Sequence, residues 1–337
     1  MRRFLSILVD SWRLYVKKKA HDSQEQEWSV QMEKLLFVYN PCSGKGQIRG
    51  SLSQVIEILS EKGYDVTVYP TKREMDGCET VEKRAKEFDL IVCSGGDGTL
   101  DEVVTGLMRS GQKRVLGYIP AGSTNDFANS LGIPKQMEQA ARLITDGVPF
   151  SCDIGKFNDN YFVYVAAFGM LTDVSYQTRQ DLKNALGHAA YVLEAMKRMG
   201  TWRSSHLYIE CEEYTGEGDY VFGMVTNSDS VGGFKGLPGK NVALNDGMFE
   251  VMLVHTPKNL IEWQEAISAV LFPDQKSEVV QRFKTKHMVI TSETPVAWTR
   301  DGENGGEHTR VELDNMCQVL EIMTPNDDEP VPHGAAL

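Results

Sequence analysis

Three short apolar runs in this chain each end in a polar, glycine-bearing turn, and that repetition limits the possible folds more than any other feature. Residues 35–39 run into Asn40-Pro41-Cys42-Ser43-Gly44-Lys45-Gly46, ahead of Leu52, Val55, Ile56 and Leu59 at helical spacing. Residues 89–93 lead into Gly95-Gly96-Asp97-Gly98-Thr99, and a helix is expected over 100–108. Residues 115–119 end in Pro120-Ala121-Gly122-Ser123-Thr124-Asn125-Asp126-Phe127-Ala128. Three strands feeding three such turns would bring all three loops to the carboxyl edge of one parallel sheet, where open α/β folds bind ligands.

The chemistry of these turns points to phosphate. A strand-to-helix turn aims unpaired backbone N–H groups at one spot, and the helix dipole favours an anion there. Glycines let the backbone come close, since no Cβ stands in the way. Asp97 would repel a bare phosphate, so a bridging divalent cation is the natural resolution. An isolated Asp-Gly turn is equally well a simple connector; three in succession favour a nucleotide site.

Past residue 144 the periodicity changes. A turn at Asp159-Asn160 precedes an expected strand over 161–169, and 182–199 has helical spacing. Residues 206–211, 221–227, 249–255 and 287–292 alternate or run apolar like sheet strands, with a helix expected over 259–271. The expected fold class is a two-domain chain with an N-terminal α/β nucleotide-binding domain on a parallel sheet and a C-terminal β-rich, sandwich-like domain. The boundaries are 34–145 for the first domain and 146–310 for the second, β-rich domain. Residues 311–324 rejoin the first, and 325–337 form a disordered tail.

A chain of 337 residues suits two domains. A net charge of −12 argues against a nucleic-acid partner, which would require clustered lysine and arginine. The cysteines at 42, 78, 93, 152, 211 and 317 are scattered and fit free thiols in a reducing cytoplasm. The histidines show no paired spacing that would suggest zinc. No apolar stretch reaches the roughly 18 residues needed to span a bilayer. Residues 1–20 nevertheless hold six cations (Arg2, Arg3, Arg13, Lys17, Lys18, Lys19) against the single acid Asp10. Leu5, Leu8, Val9, Trp12 and Val16 share one helical face, a pattern that fits the surface of an anionic membrane. A helix packed on its own domain, or a frayed extension, fits it too. Residues 21–33 read as a polar linker, so 1–33 form an extension outside the domains.

The three turns also carry a family resemblance. Asn40 to Gly46, Gly95 to Glu102 and Gly122 to Ala128 resemble the diacylglycerol kinase catalytic family, specifically the small soluble bacterial lipid kinases. Gly232-Gly233, the run from Leu244 to Val251, and Asp301-Gly302-Glu303 resemble later landmarks of that family in the right order, so the likeness spans about residues 34 to 324. The Gly-Gly-Asp-Gly core is shared with NAD kinases and phosphofructokinases. The resemblance implies ATP in a cleft between domains, magnesium, and γ-phosphoryl transfer to a lipid hydroxyl, with 146–310 as the lipid-substrate domain. It implies nucleotide contacts from Asn40, Ser43, Thr71, Gly96, Asp97, Gly98, Thr99, Glu102, Ser123 and Thr124. Asp97 and Asp126 resemble acids near phosphate and magnesium, and Asp246 with the Met248 carbonyl resembles a structural metal site. Asp301 resembles the general base, with Glu303 beside it. Taken from the residues alone, Asp301 and Asp246 are turn acids of the Asp-Gly type. Asp101 and Thr105 depart from the family's pattern, standing where asparagine is common.

Three functions follow as expectations. The first is an ATP- and magnesium-dependent lipid kinase, with diacylglycerol as the first choice of acceptor and a monoacylglycerol or sphingoid base as others. The second is a soluble NAD-kinase-like phosphotransferase; the third is a non-catalytic nucleotide- or lipid-binding regulator, against which the joint presence of Asp97, Asp126 and Asp301 argues. Met170, Leu171, Phe234 and Leu237 are either groove or core. The expected partner is a lipid at the inner face of the membrane, approached from the cytoplasm, with a homodimer left open and no nucleic acid.

Overall fold

The computed structural model describes residues 32–169, 204–235, 239, 242–272 and 274–326. The basic segment 1–20, the linker up to residue 31, the helix expected over 182–199, the groove candidates and the tail from 327 lie outside the described residues or have undescribed side chains.

The first half alternates strand and helix: β1 (Glu33–Tyr39), α1 (Ile48–Glu61), β2 (Tyr64–Pro70), α2 (Asp76–Arg84), β3 (Leu90–Gly95), α3 (Asp97–Ser110), β4 (Val115–Pro120), α4 (Asp126–Ser130) and α5 (Met137–Asp146). The sheet order is β2-β1-β3-β4. β3 is buried along its whole length and pairs in parallel with β1 (Phe37↔Val92) and β4 (Val92↔Gly117). Strands covered on both faces read as continuous apolar runs, which is why this part of the chain shows no alternation. The helices bury one stripe each, Ile48, Val55, Ile58 and Leu59 in α1 and Leu100, Val103, Val104 and Leu107 in α3.

The second half is β-rich: β5 (Val148–Phe157), β6 (Asn160–Phe162), β7 (Val165–Gly169), β8 (Ser205–Glu210), β9 (Thr215–Thr226), β10 (Ser230–Val231), β11 (Phe234–Lys235), β12 (Phe249–His255), then α6 (Leu260–Leu271), β13 (Val280–Thr285), β14 (His287–Arg300) and β15 (Glu303–Thr324). Antiparallel pairings link β9 with β7, β8 and β12, and β14 with β7, β8 and β15. β15 is the bridge between halves. It pairs with β14 at its start, with β5 along its length, and in parallel with β4 at Ile322↔Leu116. One 13-stranded sheet therefore runs through both halves. A second hydrophobic core, built on Phe157, Phe168, Phe249 and Trp298, fills the β-rich side.

Local structure departs from the sequence reading at two instructive places. The strand expected over 161–169 is two strands, interrupted at Val163-Tyr164, because the N–H groups there donate to the Asp301 carboxylate instead of a ladder. The glycine-rich stretch after Asp301 looks like loop in sequence, yet Glu303 already pairs with Arg300. Asp301 (φ 49°) and Gly302 (φ 86°) form a two-residue turn with both φ positive, the geometry that suits the twist of a hairpin. The sequence reading did not foresee α2, nor β2, although Tyr64-Asp65-Val66-Thr67-Val68 alternates apolar and polar.

α2 and α3 cross closely because Gly106 has no side chain: a Cβ there would lie 2.4 Å from the Cys78 carbonyl oxygen. Gly106→Ala is expected to cost about 2 kcal/mol or more through forced separation of the helices. Gly50→Ala, at a helical position with nothing within 4 Å, is expected to stabilise by about 0.5–1 kcal/mol. Chemical denaturation of the two variants checks both signs.

Candidate active site

The three glycine turns meet. A Cβ on Gly44 would lie 2.1 Å from the Ala121 carbonyl oxygen, and one on Gly122 would lie 2.6 Å from the Gly96 Cα. Backbone thus packs on backbone, and Gly44 also needs its positive φ of 55°. Side chains then fasten each loop. The Asn40 amide donates to Thr99 Oγ1 (3.3 Å) and its Oδ1 accepts the Cys42 N–H (2.9 Å). Asn125, itself at φ 53°, closes the third turn by accepting the Gly122 N–H and donating to the Gly122 carbonyl, each at 2.9 Å. The Tyr118 hydroxyl donates to the Gly95 carbonyl at 3.1 Å from beneath.

A cleft of about 520 Å³ opens beside these loops. Asn40, Ser43, Thr71, Gly96, Gly98, Thr99, Glu102 and Glu303 all line it. Ser123 and Thr124 sit on the third turn but do not line this cleft. Glu102 also serves the fold: its carboxylate accepts the Met75 and Gly77 N–H groups (2.9 and 3.0 Å), so it caps α2. Burial raises its affinity for a proton, and those two donors oppose the shift. Glu303 arches over the start of α3, its Oε1 2.7 Å from where a Gly98 Cβ would be.

Two acids sit at the junction of the loops. Asp97 opens α3 and faces the N–H groups of Asp126 and Phe127 at the start of α4. Burial, followed by the Asp126 charge, pushes its carboxyl up to about 7 despite those donors. Asp126 is fully buried, and its Oδ1 accepts the Ser230 hydroxyl (2.8 Å) and the Gly233 N–H (2.7 Å). Asp97 Oδ1 and Asp126 Oδ2 are both buried without a hydrogen-bond partner. Two carboxylates with orphaned oxygens and mutual repulsion suit a divalent cation, which would supply the missing partner.

Asp301 is also buried, with 2% of its surface exposed. Its Oδ1 accepts from Tyr164 and Val165 (2.9 Å each) and its Oδ2 from Val163 (2.5 Å). Burial raises the carboxyl to about 6, while the three backbone donors and Arg300 oppose the rise. A carboxylate poised near neutrality in a buried site is suited to accepting a proton.

Asp246 is different. Its Oδ1 accepts the Met248 N–H (3.0 Å) and its Oδ2 pairs with Lys284 Nζ (3.0 Å), which also reaches Glu250 at 2.9 Å. Lys284 thus places a positive charge beside the Asp246 carboxylate. Among the described residues, His287, Glu312 and Asp314 have ligand-type atoms within 4.8 Å of one another. The His287–Asp314 contact (2.7 Å) and the Arg310–Glu312 pair (2.8 Å) engage them at the end of the β14–β15 ribbon far from Asp301.

Sequence reasoning missed Lys72, Arg73, Glu74 and Met75 along one wall, and Arg300 and Asn304 along another. Arg300 donates to the Tyr161 carbonyl (2.7 Å), and its buried Nε has no partner. Its position next to Asp301 was the only signal available.

Glycine turns gathered on an α/β sheet edge, with buried acids close by, are the equipment of a phosphoryl-transfer enzyme. Residues 34–157 match the diacylglycerol kinase catalytic domain family. A diacylglycerol kinase of Bacillus subtilis (strain 168) is 34% identical over 299 residues, covering 88% of this chain and 98% of that protein. A diacylglycerol kinase of Staphylococcus haemolyticus (strain JCSC1435) is 34% identical over 293 residues, 86% of this chain and 88% of its own. A solved diacylglycerol kinase from Bacillus anthracis (strain Sterne) shares the fold, with a TM-score of 0.69 at 24% identity over 88% of this chain and 97% of that one. The chain belongs to the diacylglycerol kinase catalytic family and is a lipid kinase.

Asp97 and Asp301 each hold a proton more tightly folded than unfolded, so the native state binds more protons through this range. Their contribution to stability is therefore lost as pH rises from about 4 toward 7. Without added divalent cation, Asp97→Asn is expected to flatten that decline and raise Tm at pH 8. Thermal melts of both proteins across pH test it.

Proposed function

We propose that this enzyme transfers the γ-phosphoryl group of ATP to the hydroxyl of diacylglycerol, giving a phosphatidic acid, with Asp301 as the general base. The observation that carries this reading is the Asp301 carboxylate, buried beside the glycine-turn cleft and held by three backbone N–H groups. Such a clamp fixes the base's direction and keeps it ionised at neutral pH in spite of burial.

The turn backbones around Gly44, Gly96, Gly98 and Gly122 bind and orient the phosphates, with Asn40, Ser43, Thr71, Thr99, Ser123 and Thr124 completing the nucleotide's surroundings. The orphaned oxygens of Asp97 and Asp126 would hold a divalent cation, magnesium in our reading, which would supply neutralisation of phosphate charge there. Asp301 takes the proton of the lipid hydroxyl as its oxygen attacks phosphorus. Arg300 lines the cleft with a spare donor and steadies the transferring group. Residues 34–145 with 311–324 form the nucleotide side, and 146–310 the lipid side. Among the described residues no helix is long and apolar enough to cross a membrane. The basic amphipathic segment 1–20 then docks the enzyme on an anionic bilayer where its substrate resides.

Two measurements test this. With radiolabelled ATP, magnesium and dispersed diacylglycerol, wild type should label a chloroform-soluble product. Asp301→Asn should lose about 10²–10⁴-fold in turnover and still bind nucleotide. Label in NAD supplied in parallel, or in no acceptor, would overturn the reading. Deleting residues 1–30 should lower activity on anionic vesicles more than on detergent-dispersed lipid. Equal activities in both formats would remove the docking role.

A further inference from the structure

Gly232 and Gly233 form the turn of a small hairpin between β10 and β11, in which Ser230 pairs with Lys235 and Val231 with Phe234. Both glycines take positive φ (60° and 73°), which suits a two-residue turn to the twist of its strands. The hairpin follows β9 in the β-rich half, yet it is fastened to α4, which opens directly after the third glycine turn. The first residue of α4 takes its tip: the Ser230 hydroxyl and the Gly233 N–H both donate to Asp126 Oδ1, at 2.8 and 2.7 Å. The last residue of α4 takes its approach, since Ser130 Oγ meets Ser228 Oγ and donates to Asp229 Oδ1, at 2.7 Å each.

Asp126 and Ser230 are buried away from water, at 0% and 3% exposure, and both donors meet the same carboxylate oxygen. A carboxylate held in that way cannot turn about its Cβ–Cγ bond without leaving two buried donors unpaired, which is costly. Its second oxygen, Oδ2, is buried and has no hydrogen-bond partner. We propose that Ser230 is the positioning residue of Asp126: its hydroxyl, with the Gly233 N–H, fixes one carboxylate oxygen so that the other stays presented to a divalent cation. This rests on Asp126 holding that cation together with Asp97, and it adds a condition on the aim of the ligand.

The Gly233 N–H belongs to the main chain, so the Ser230 hydroxyl is the part of this grip that a substitution can remove. Carboxylates that bind metals depend on such outer hydrogen bonds for their orientation. A cation site formed at the turns of the α/β half therefore takes part of its affinity from a hairpin of the β-rich half. Ser130 holds the same segment by bonds that do not involve the Asp126 carboxylate. The anchorage of the hairpin and its effect on the carboxylate can thus be removed separately.

The experiment titrates manganese, as a spin-active stand-in for magnesium, into the full chain without nucleotide and reads the free ion by electron paramagnetic resonance. Ser230→Ala is expected to bind manganese about 10–100-fold more weakly than wild type. Ser230→Thr, which keeps the hydroxyl, should restore wild-type affinity, and Ser130→Ala should retain it. In turnover, Ser230→Ala should need correspondingly more magnesium to reach half its maximal rate and recover its kcat when magnesium saturates. Unchanged manganese affinity in Ser230→Ala, or equal losses in Ser230→Ala and Ser130→Ala, overturns the proposal. Asp126→Asn separates it from the reading beneath it. If that variant binds manganese as wild type does, the cation assignment fails and the proposal falls with it. If Asp126→Asn loses affinity while Ser230→Ala does not, the cation assignment stands and the role of Ser230 fails.

Discussion

The contact on which the site depends is between two pieces of backbone. Gly122 lies so close to Gly96 that no side chain could pass between them, and Gly44 is as close to Ala121. Three loops from three strands are thereby held at one place before any side chain is considered. The hydrogen bonds of Asn40, Thr99, Asn125 and Tyr118 then fix loops that glycine alone would leave mobile. The start of α3 inherits its aim from this packing, and with it the positions of Asp97, Asp101 and Glu102.

The opposite wall is built by a different device. Asp301 adopts a left-handed backbone conformation that costs a non-glycine residue on the order of 1 kcal/mol. The hairpin turn and the three donors from residues 163–165 offset that cost. The same donors interrupt a strand that would otherwise run unbroken from β6 into β7. Strand continuity has been given up where the chemistry needs a clamp, and the break is local because Val165 resumes the ladder at once.

The sequence made the first wall legible and left the second obscure. β1, β3 and β4 end in glycine clusters, a pattern visible in a short window, so the loops could be placed, and the family resemblance named about half of the residues lining the cleft. Asp301 shows only an Asp-Gly hairpin signal, because its burial depends on partners 136 to 138 residues away. The family resemblance, not the residue pattern, singled it out. Arg300 and the wall from Lys72 to Met75 were missed for the same reason: their role comes from what the fold sets opposite them. Asp246 illustrates the converse, since its partner Lys284 lies 38 residues on and cannot be read from the turn itself.

β15 leads from the Asp301 turn at Glu303 to Ile322 beside β4, so a single strand touches both the Asp301 hairpin and the parallel sheet. The jaws of this enzyme are therefore joined by a strut, not a free hinge. Near its β5 side the strut is irregular at a register break between Met316 and Leu320, where Gln318 takes a positive φ. Even that point is stapled, because the fully buried Asp153 accepts the Gln318 N–H with one oxygen and the Gly247 N–H with the other. The spacing between the glycine turns and Asp301 is thus a property of strand length and one buried carboxylate. Substrates must fit that gauge, with adjustment left to the loops at its rim.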